Sequence, residues 1–434
     1  MVLLMVFSKE LIQEIRAEFP RVEVDWRGRK RIFFDNAAGT MVLERVARAE
    51  TLARINRAAN ECDCETPTTA YDESRDFDEL VLIGRKAVQD MLNAPAPETV
   101  TIGPSTTDLL FKLAYAIGKE LTGKENVVTT DNEHLANTAP WEELKERKLI
   151  TEVRYARINK NDGTLDMEHF KSLVDKNTRV ITVTGTSNLT GTKSPLEEIK
   201  KIARGTDAYF IVDGTQRVPH SAVDVQELDC DFLVFTGYKI FTSAGAFIYG
   251  KKGLFKELKI YDLFGHGLPY GTLDQAKFAS IEAVVQYFVW LSHQVSELYK
   301  NAFKQYSGRV RNVRIAMNAI EKYEKELSKA MLGGNDKIPG LTEMPHVTVY
   351  GITDLKRLDE RDPAFAFKVH NMKDYDVAKY LWEKHNIAVR LGDLWNRAVK
   401  TFGIQTALRA SLVHYNTIEE VYAFLKALND LRKK

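Results

Sequence analysis

Between residues 98 and 250, short apolar runs alternate with amphipathic segments, and this alternation constrains the fold more than any other feature of the chain. Val100–Ile102, Val127–Thr129, Val180–Val183, Tyr209–Val212, Phe232–Phe235 and Ala246–Tyr249 read as buried strands. Thr107–Leu121, Asp166–Val174 and Pro195–Arg204 read as helices between them, with Pro195 ahead of Leu196-Glu197-Glu198 as a helix-entry signal. Strands interleaved with helices bury both when the helices cover the faces of a mostly parallel sheet, so an α/β fold is expected.

A chain of 434 residues is too long for one compact core, and a second, smaller domain is expected. A helical stretch rich in Glu, Lys and Arg, residues 281–332, leads into the break Gly333-Gly334-Asn335-Asp336. Beyond it, His346–Tyr350, Ala364–Val369, Ala388–Leu391 and Leu408–Val413 read as strands and Tyr375–His385 as a helix. A last helix opens on the capping-box pattern Thr417-Ile418-Glu419-Glu420. The expected division is an N-terminal segment 1–30 packing on the small domain, a large α/β domain 31–300, and an α+β domain 301–434, with helix 281–332 bridging the last two.

The formal net charge of +1, with no long run of one sign, argues against nucleic acid or membrane as partner. Three cysteines, Cys62, Cys64 and Cys230, make no disulfide framework, and no segment is apolar for long enough to span a bilayer, so a cytoplasmic protein is expected. The nine histidines include no pair spaced for one helix face, and no metal is expected. Neither a P-loop nor a serine-elbow motif occurs.

Four local features carry chemistry. Gly103-Pro104-Ser105-Thr106-Thr107-Asp108, between a strand and a helix, reads as a phosphate cradle or as a plain capped loop. His134 follows the strand Val127–Thr129 and reads as a ring-stacking or proton-moving group or as a structural histidine. Asp213 and Lys239 each close an apolar strand, and in an open α/β sheet such tips converge on the ligand site. A carboxylate can keep a ring nitrogen protonated, and a desolvated lysine can form an imine with an aldehyde; alternatively, both are merely exposed after strands. Arg409, on the strand before His414-Tyr415-Asn416-Thr417, reads as a substrate-carboxylate clamp or as a strand-edge salt bridge.

In order and spacing these motifs, from Phe33-Phe34-Asp35-Asn36-Ala37-Ala38-Gly39 to Arg409…Tyr415-Asn416-Thr417, resemble the class V aminotransferase, or cysteine desulfurase-like, branch of the fold-type I enzymes that use pyridoxal 5'-phosphate. The resemblance implies a large domain with a seven-stranded-type, mostly parallel sheet covered by helices. It implies that Lys239 holds the cofactor as an imine, Asp213 pairs with the pyridine nitrogen and His134 stacks on the ring. Asn188 would contact the ring hydroxyl, with Gln216 near the same oxygen. Ser105, Thr106, Thr107 and Thr236 would bind the phosphate, Tyr238 would border the cofactor, and Thr272 would reach the phosphate of a partner subunit. Arg409, with Asn36 and Arg390, would bind a small amino-acid substrate. A homodimer with shared active sites is implied.

The chain departs from the family pattern in ways that bear on the reaction. Tyr238 stands where the family has His before the lysine, and Phe241-Thr242-Ser243-Ala244-Gly245 replaces a Gly-Pro-Lys-Gly stretch. In Arg390-Leu391-Gly392-Asp393-Leu394-Trp395-Asn396, Trp395 falls where a desulfurase carries its nucleophilic cysteine, and no cysteine follows Cys230. An aminotransferase-type reaction is therefore expected first. Its alternatives are a desulfurase or C–S lyase reaction without the usual small-domain cysteine, with Cys62 and Cys64 as candidate sulfur acceptors, or epimerisation. A non-catalytic scaffold of the same fold is the reading of another class. His266 and the 62–69 loop are further candidates to line the pocket.

Overall fold

The computed structural model describes residues 6–56, 69, 71–258, 268 and 272–433. Cys62, Cys64 and His266 lie outside them.

A seven-stranded sheet dominates. Its strands are β1 (Val100–Gly103), β2 (Asn126–Thr130), β3 (Glu152–Ala156), β4 (Thr178–Thr184), β5 (Tyr209–Asp213), β6 (Phe232–Thr236) and β7 (Ala246–Gly250), in the spatial order β1-β7-β6-β5-β4-β2-β3. Strands β6, β5, β4, β2 and β3 run parallel, and β7 runs antiparallel to both β6 and β1. Both faces are covered. Along β5 and β6 alternate side chains enter two separate cores: Phe210, Val212, Leu233 and Phe235 one, Ile211, Phe232 and Val234 the other. This is the period-2 pleat of strands buried on both sides, and it explains their continuous apolar sequence.

The second of these cores includes Leu109, Leu110 and Leu113 of the helix Thr106–Gly118 and Trp141 and Leu144 of the helix Leu135–Glu146. The first takes in the helices Asp72–Leu92, Gln275–Gln294 and Gly308–Gly333. A second, four-stranded antiparallel sheet is built from β8 (Val347–Tyr350), β9 (Ala364–Val369), β10 (Arg390–Gly392) and β11 (Ala407–Ser411), in the order β8-β9-β11-β10. The helix Ile418–Asp430 starts with the expected capping box: Thr417 accepts from the Glu420 amide while Glu420 accepts from the Thr417 amide. Arg16, near the N-terminus, donates to the Tyr415 carbonyl (2.7 Å) and pairs with Glu420 (3.0 Å), and Phe7 packs on Tyr323.

Two features differ from expectation. The bridging helix 281–332 is two helices, Gln275–Gln294 and Gly308–Gly333, separated by a short 3-10 turn, Ser296–Tyr299. Phe303 and Gly308 take positive φ in the connection, which a continuous helix cannot accommodate. The segment Ala388–Leu391 is also divided. Ile387–Ala388 pairs with Ile32–Phe33, whereas Arg390–Gly392 pairs with β11.

Candidate active site

In a parallel sheet the carboxyl ends of all strands share one edge. Asp213 ends β5 and Thr236 ends β6, with Asp213 in register with Val234 on the neighbouring strand. After Thr236 the chain turns through a single 3-10 turn, Gly237–Lys239, that brings Lys239 back over the strand tips. The turn requires Gly237, because a Cβ there would lie 2.3 Å from Thr242 Oγ1 and 2.9 Å from the Ala244 carbonyl. A cavity at this edge is lined by Ser105–Thr107, His134, Ala136, Thr184, Asn188, Asp213, Thr215, Gln216, Thr236, Tyr238 and Lys239, and holds about 510 Å³ between protein atoms, part of it open to solvent. A larger cleft, bordered by Lys193, Arg217, Asp224 and Arg357, has Lys193 and Arg357 already committed to ion pairs and receives no strand-tip lysine.

Lys239 is buried, and its Nζ has no hydrogen-bond partner among the described residues. Burial, reinforced by the charge of Arg409, pushes its amine down to about 8 from the ordinary 10.5. Asp213 is 3% exposed and accepts from the Thr215 amide (3.0 Å). His134 caps the helix Leu135–Glu146: its Nδ1 accepts from the Ala136 amide (3.1 Å), so the neutral ring carries its proton on Nε2. Burial, then the nearby Lys239, lowers the His134 pKa and keeps the ring neutral. Beneath it Glu133 is fully enclosed and accepts from Thr130 Oγ1, Asn137 Nδ2 and the Thr184 amide, and burial pushes its carboxyl up to about 7.

Opposite the lysine is the start of the helix Thr106–Gly118. Ser105 Oγ accepts from the Asp108 amide as N-cap, and the first helical amides have no partner within the helix. Thr106, Thr107, Thr215 and Thr236 add hydroxyls around it, a donor set suited to a phosphate. Gln216 lines the cavity with its Nε2 donating to the Ala37 carbonyl (2.9 Å). Asn188 sits on the loop closed by Gly191, whose φ of +74° and approach to the carbonyls of Asp362 and Ala364 leave no room for a Cβ.

Arg409 lies on β11 beside β10 and is 2% exposed. It donates to the Asn188 carbonyl (2.8 Å) and to Asp35 (3.2 Å), while its Nε is buried without a partner. Arg390 reaches the same Asp35 carboxylate (3.1 Å) from a half-exposed position. The guanidinium is thus held in a salt bridge on an interior strand, and Arg409 is not among the residues that line the cavity.

Asn36 departs from its expected substrate contact. Its Nδ2 donates to the carbonyls of Phe33 and Ser411 and to Asn416 Oδ1, and its Oδ1 accepts from the Tyr415 hydroxyl. With its polar atoms engaged inside the protein, it staples the N-terminal strand to the C-terminal region. Thr272 is exposed and does not line the cavity. Thr184, Thr215 and Ala136 line it without having been singled out from sequence. Thr184 and Thr215 were recoverable in principle, since each ends or follows a strand of the same sheet edge. Among the described residues no group of three or more His, Cys, Asp or Glu side chains is disposed to hold a metal ion.

A buried lysine with no hydrogen-bond partner among the described residues, a carboxylate and a hydroxyl-rich helix start around one cavity fit pyridoxal phosphate, and with this sheet they define a fold-type I enzyme of that cofactor. The family model for aminotransferase class-V matches residues 32–284 and 309–424, and the chain belongs to that family. It is 29% identical over 426 residues, 97% of this chain and 98% of the relative, to a cysteine desulfurase of Salmonella agona (strain SL483), and equally so to one of Salmonella typhi. The apo structure of a cysteine desulfurase from Thermococcus onnurineus NA1 superposes with a TM-score of 0.79 at 24% identity, covering 97% of this chain and 98% of that one. The cysteine desulfurase CsdA of Escherichia coli gives 0.75 at 21% identity, with the same coverage. Both structural matches establish the fold. Among the described residues no helix is long and apolar enough to cross a membrane.

Proposed function

We propose that this enzyme cleaves the carbon–sulfur bond of cysteine or a close analogue by β-elimination, without a nucleophilic cysteine on its small-domain loop. This replaces the aminotransferase reading as the first choice. Its support is end-to-end similarity to cysteine desulfurases combined with Trp395 where the loop thiol would stand. For cysteine the balance is cysteine plus water giving pyruvate, ammonia and sulfide.

Pyridoxal phosphate would be held by Lys239, Asp213, Asn188, His134 and the Ser105–Thr107 cradle, and would supply an electron sink for the α-carbon. The protein's own groups do the rest. Arg409 would bind the substrate carboxylate by giving up its contact with Asp35, and would orient the α-proton. Lys239, whose amine is brought to about 8, has a neutral fraction near pH 7 and takes the α-proton at Nζ. His134, neutral with its proton on Nε2, would donate that proton toward the departing sulfur. In the dimer that the family resemblance implies, the exposed Thr272 would serve the neighbouring site.

The test is product analysis on the cofactor-loaded protein with a panel of small amino acids. Cysteine is expected to yield sulfide and pyruvate in equal amounts, with both retained in Trp395→Ala and in Cys62→Ser/Cys64→Ser. Transfer of the amino group to a 2-oxo acid without sulfide would overturn the proposal in favour of transamination. Loss of sulfide in the double cysteine variant would move the chemistry to a persulfide on those residues.

A further inference from the structure

The loop that carries Trp395 is fastened to the cofactor cradle. Leu394 and Trp395 both adopt left-handed backbone conformations (φ 55° each), which side-chain-bearing residues hold only when neighbours enforce them. The enforcing contacts are Asn188 Nδ2 to the Leu394 carbonyl (2.9 Å), the Leu135 amide to the Trp395 carbonyl (2.8 Å), and the Trp395 amide to Asp393 Oδ1 (3.1 Å). Next in the chain, Asn396 is 3% exposed and fully engaged. Its Nδ2 donates to Asn188 Oδ1 (2.7 Å) and to the Asn132 carbonyl (2.9 Å), and its Oδ1 accepts from the Ala398 amide (2.8 Å).

The two ends of a carboxamide have nearly the same shape, so hydrogen bonding decides which way it points. A backbone amide only donates and a backbone carbonyl only accepts. The Ala398 amide and the Asn132 carbonyl therefore permit Asn396 one orientation. Asn396 then offers a donor to Asn188, which must answer with its oxygen. That leaves the Asn188 amide nitrogen with one proton on Leu394 and a second with no partner among the described residues, on a side chain that lines the cavity. Of the polar groups of pyridoxal phosphate, the ring nitrogen matches the Asp213 carboxylate and the phosphate matches the helix start. The family resemblance assigns the ring oxygen to Asn188, whose remaining N–H suits it.

We propose that Asn396 is a positioning residue: through Asn188 it fixes an N–H group toward the cofactor's ring oxygen and ties the 393–396 loop to the cofactor's charge state. The proposal rests on pyridoxal phosphate occupying this cavity. A donor at the ring oxygen stabilises that anion most when the adjoining Lys239 nitrogen has lost its proton. Removing or reversing the donor therefore raises the pH midpoint of the cofactor's visible absorbance change.

The experiment titrates that absorbance in the cofactor-loaded wild type, N396A, N396D, N188A and N188A/N396A. Midpoints in N396A and N396D are expected to rise by about 0.5–1, the size of one hydrogen bond. The double variant is expected to match N188A alone, because Asn396 acts only through Asn188. Unchanged midpoints in N396A and N396D beside a shifted N188A, or additive shifts in the double variant, would overturn the proposal. A wild type that takes up no cofactor would instead defeat the cofactor assignment. If the Asn396 variants do not fold, the 15N-labelled wild type decides: the Asn188 side-chain amide resonance must move on addition of pyridoxal phosphate, and an unmoved resonance refutes the idea.

Discussion

Replacing Lys239 by methionine in the cofactor-free protein is predicted to stabilise it, although the lysine is the proposed reactive group. Lys239 is only 8% exposed, with no hydrogen-bond partner among the described residues, and burial brings its pKa from 10.5 to about 8. At neutral pH the folded protein must therefore carry, or discharge, an ammonium that the unfolded chain solvates freely. A depression of this size corresponds to about 3 kcal/mol at 1.36 kcal/mol per unit, an upper figure for the gain in Lys239→Met. With an unfolding entropy of roughly 2.1 cal/mol/K per residue, the melting temperature should rise by about 3 °C. The pH dependence follows from proton counts. Between about 8 and 10.5 the unfolded chain holds the Lys239 proton and the folded one does not, so wild-type stability climbs with pH relative to the variant. The gap is full below about pH 8 and closes toward 10.5. Urea unfolding of both proteins across pH 7–10.5 reads it directly. A variant no more stable than wild type, or a gap that ignores pH, would refute the desolvated-amine argument.

Further predictions follow from the same geometry. Arg409→Lys should raise KM for carboxylate-bearing substrates by roughly 10- to 100-fold with a smaller effect on kcat, because one ammonium cannot reproduce the guanidinium fork; steady-state kinetics on a substrate and its decarboxylated amine separate the two. Asp213→Asn should weaken cofactor binding by roughly 10- to 100-fold, the worth of a charge-assisted hydrogen bond, as read by equilibrium dialysis against pyridoxal phosphate. Gly191→Ala should destabilise by about 1–3 kcal/mol, since φ is +74° and the new methyl would meet the Asp362 carbonyl at 2.3 Å; thermal unfolding should show it, with weaker cofactor retention because the loop carries Asn188.

Sequence made the strand tips legible because a parallel sheet places every carboxyl end at one edge, so Asp213 and Lys239 could be brought together without coordinates. Strand β3 escaped notice. Its Glu152-Val153-Arg154-Tyr155-Ala156 sits at the sheet edge, where one side is open and an apolar run is not needed. The break between Gln294 and Gly308 was hidden for a different reason, since the whole stretch has helix-compatible composition and only backbone φ at Phe303 and Gly308 betrays it. Asn36 and Asn396 illustrate the limit of motifs. A motif places a residue near a site, whereas the hydrogen bonds that saturate Asn36 and aim Asn396 join segments hundreds of positions apart.

One buried amine, that of Lys239, is predicted to bond to the cofactor. Borohydride reduction of the yellow, cofactor-loaded protein followed by peptide mass mapping tests it most directly. The reduced pyridoxyl adduct is predicted on Lys239 alone; an adduct on a different lysine, or none after reconstitution, would contradict it.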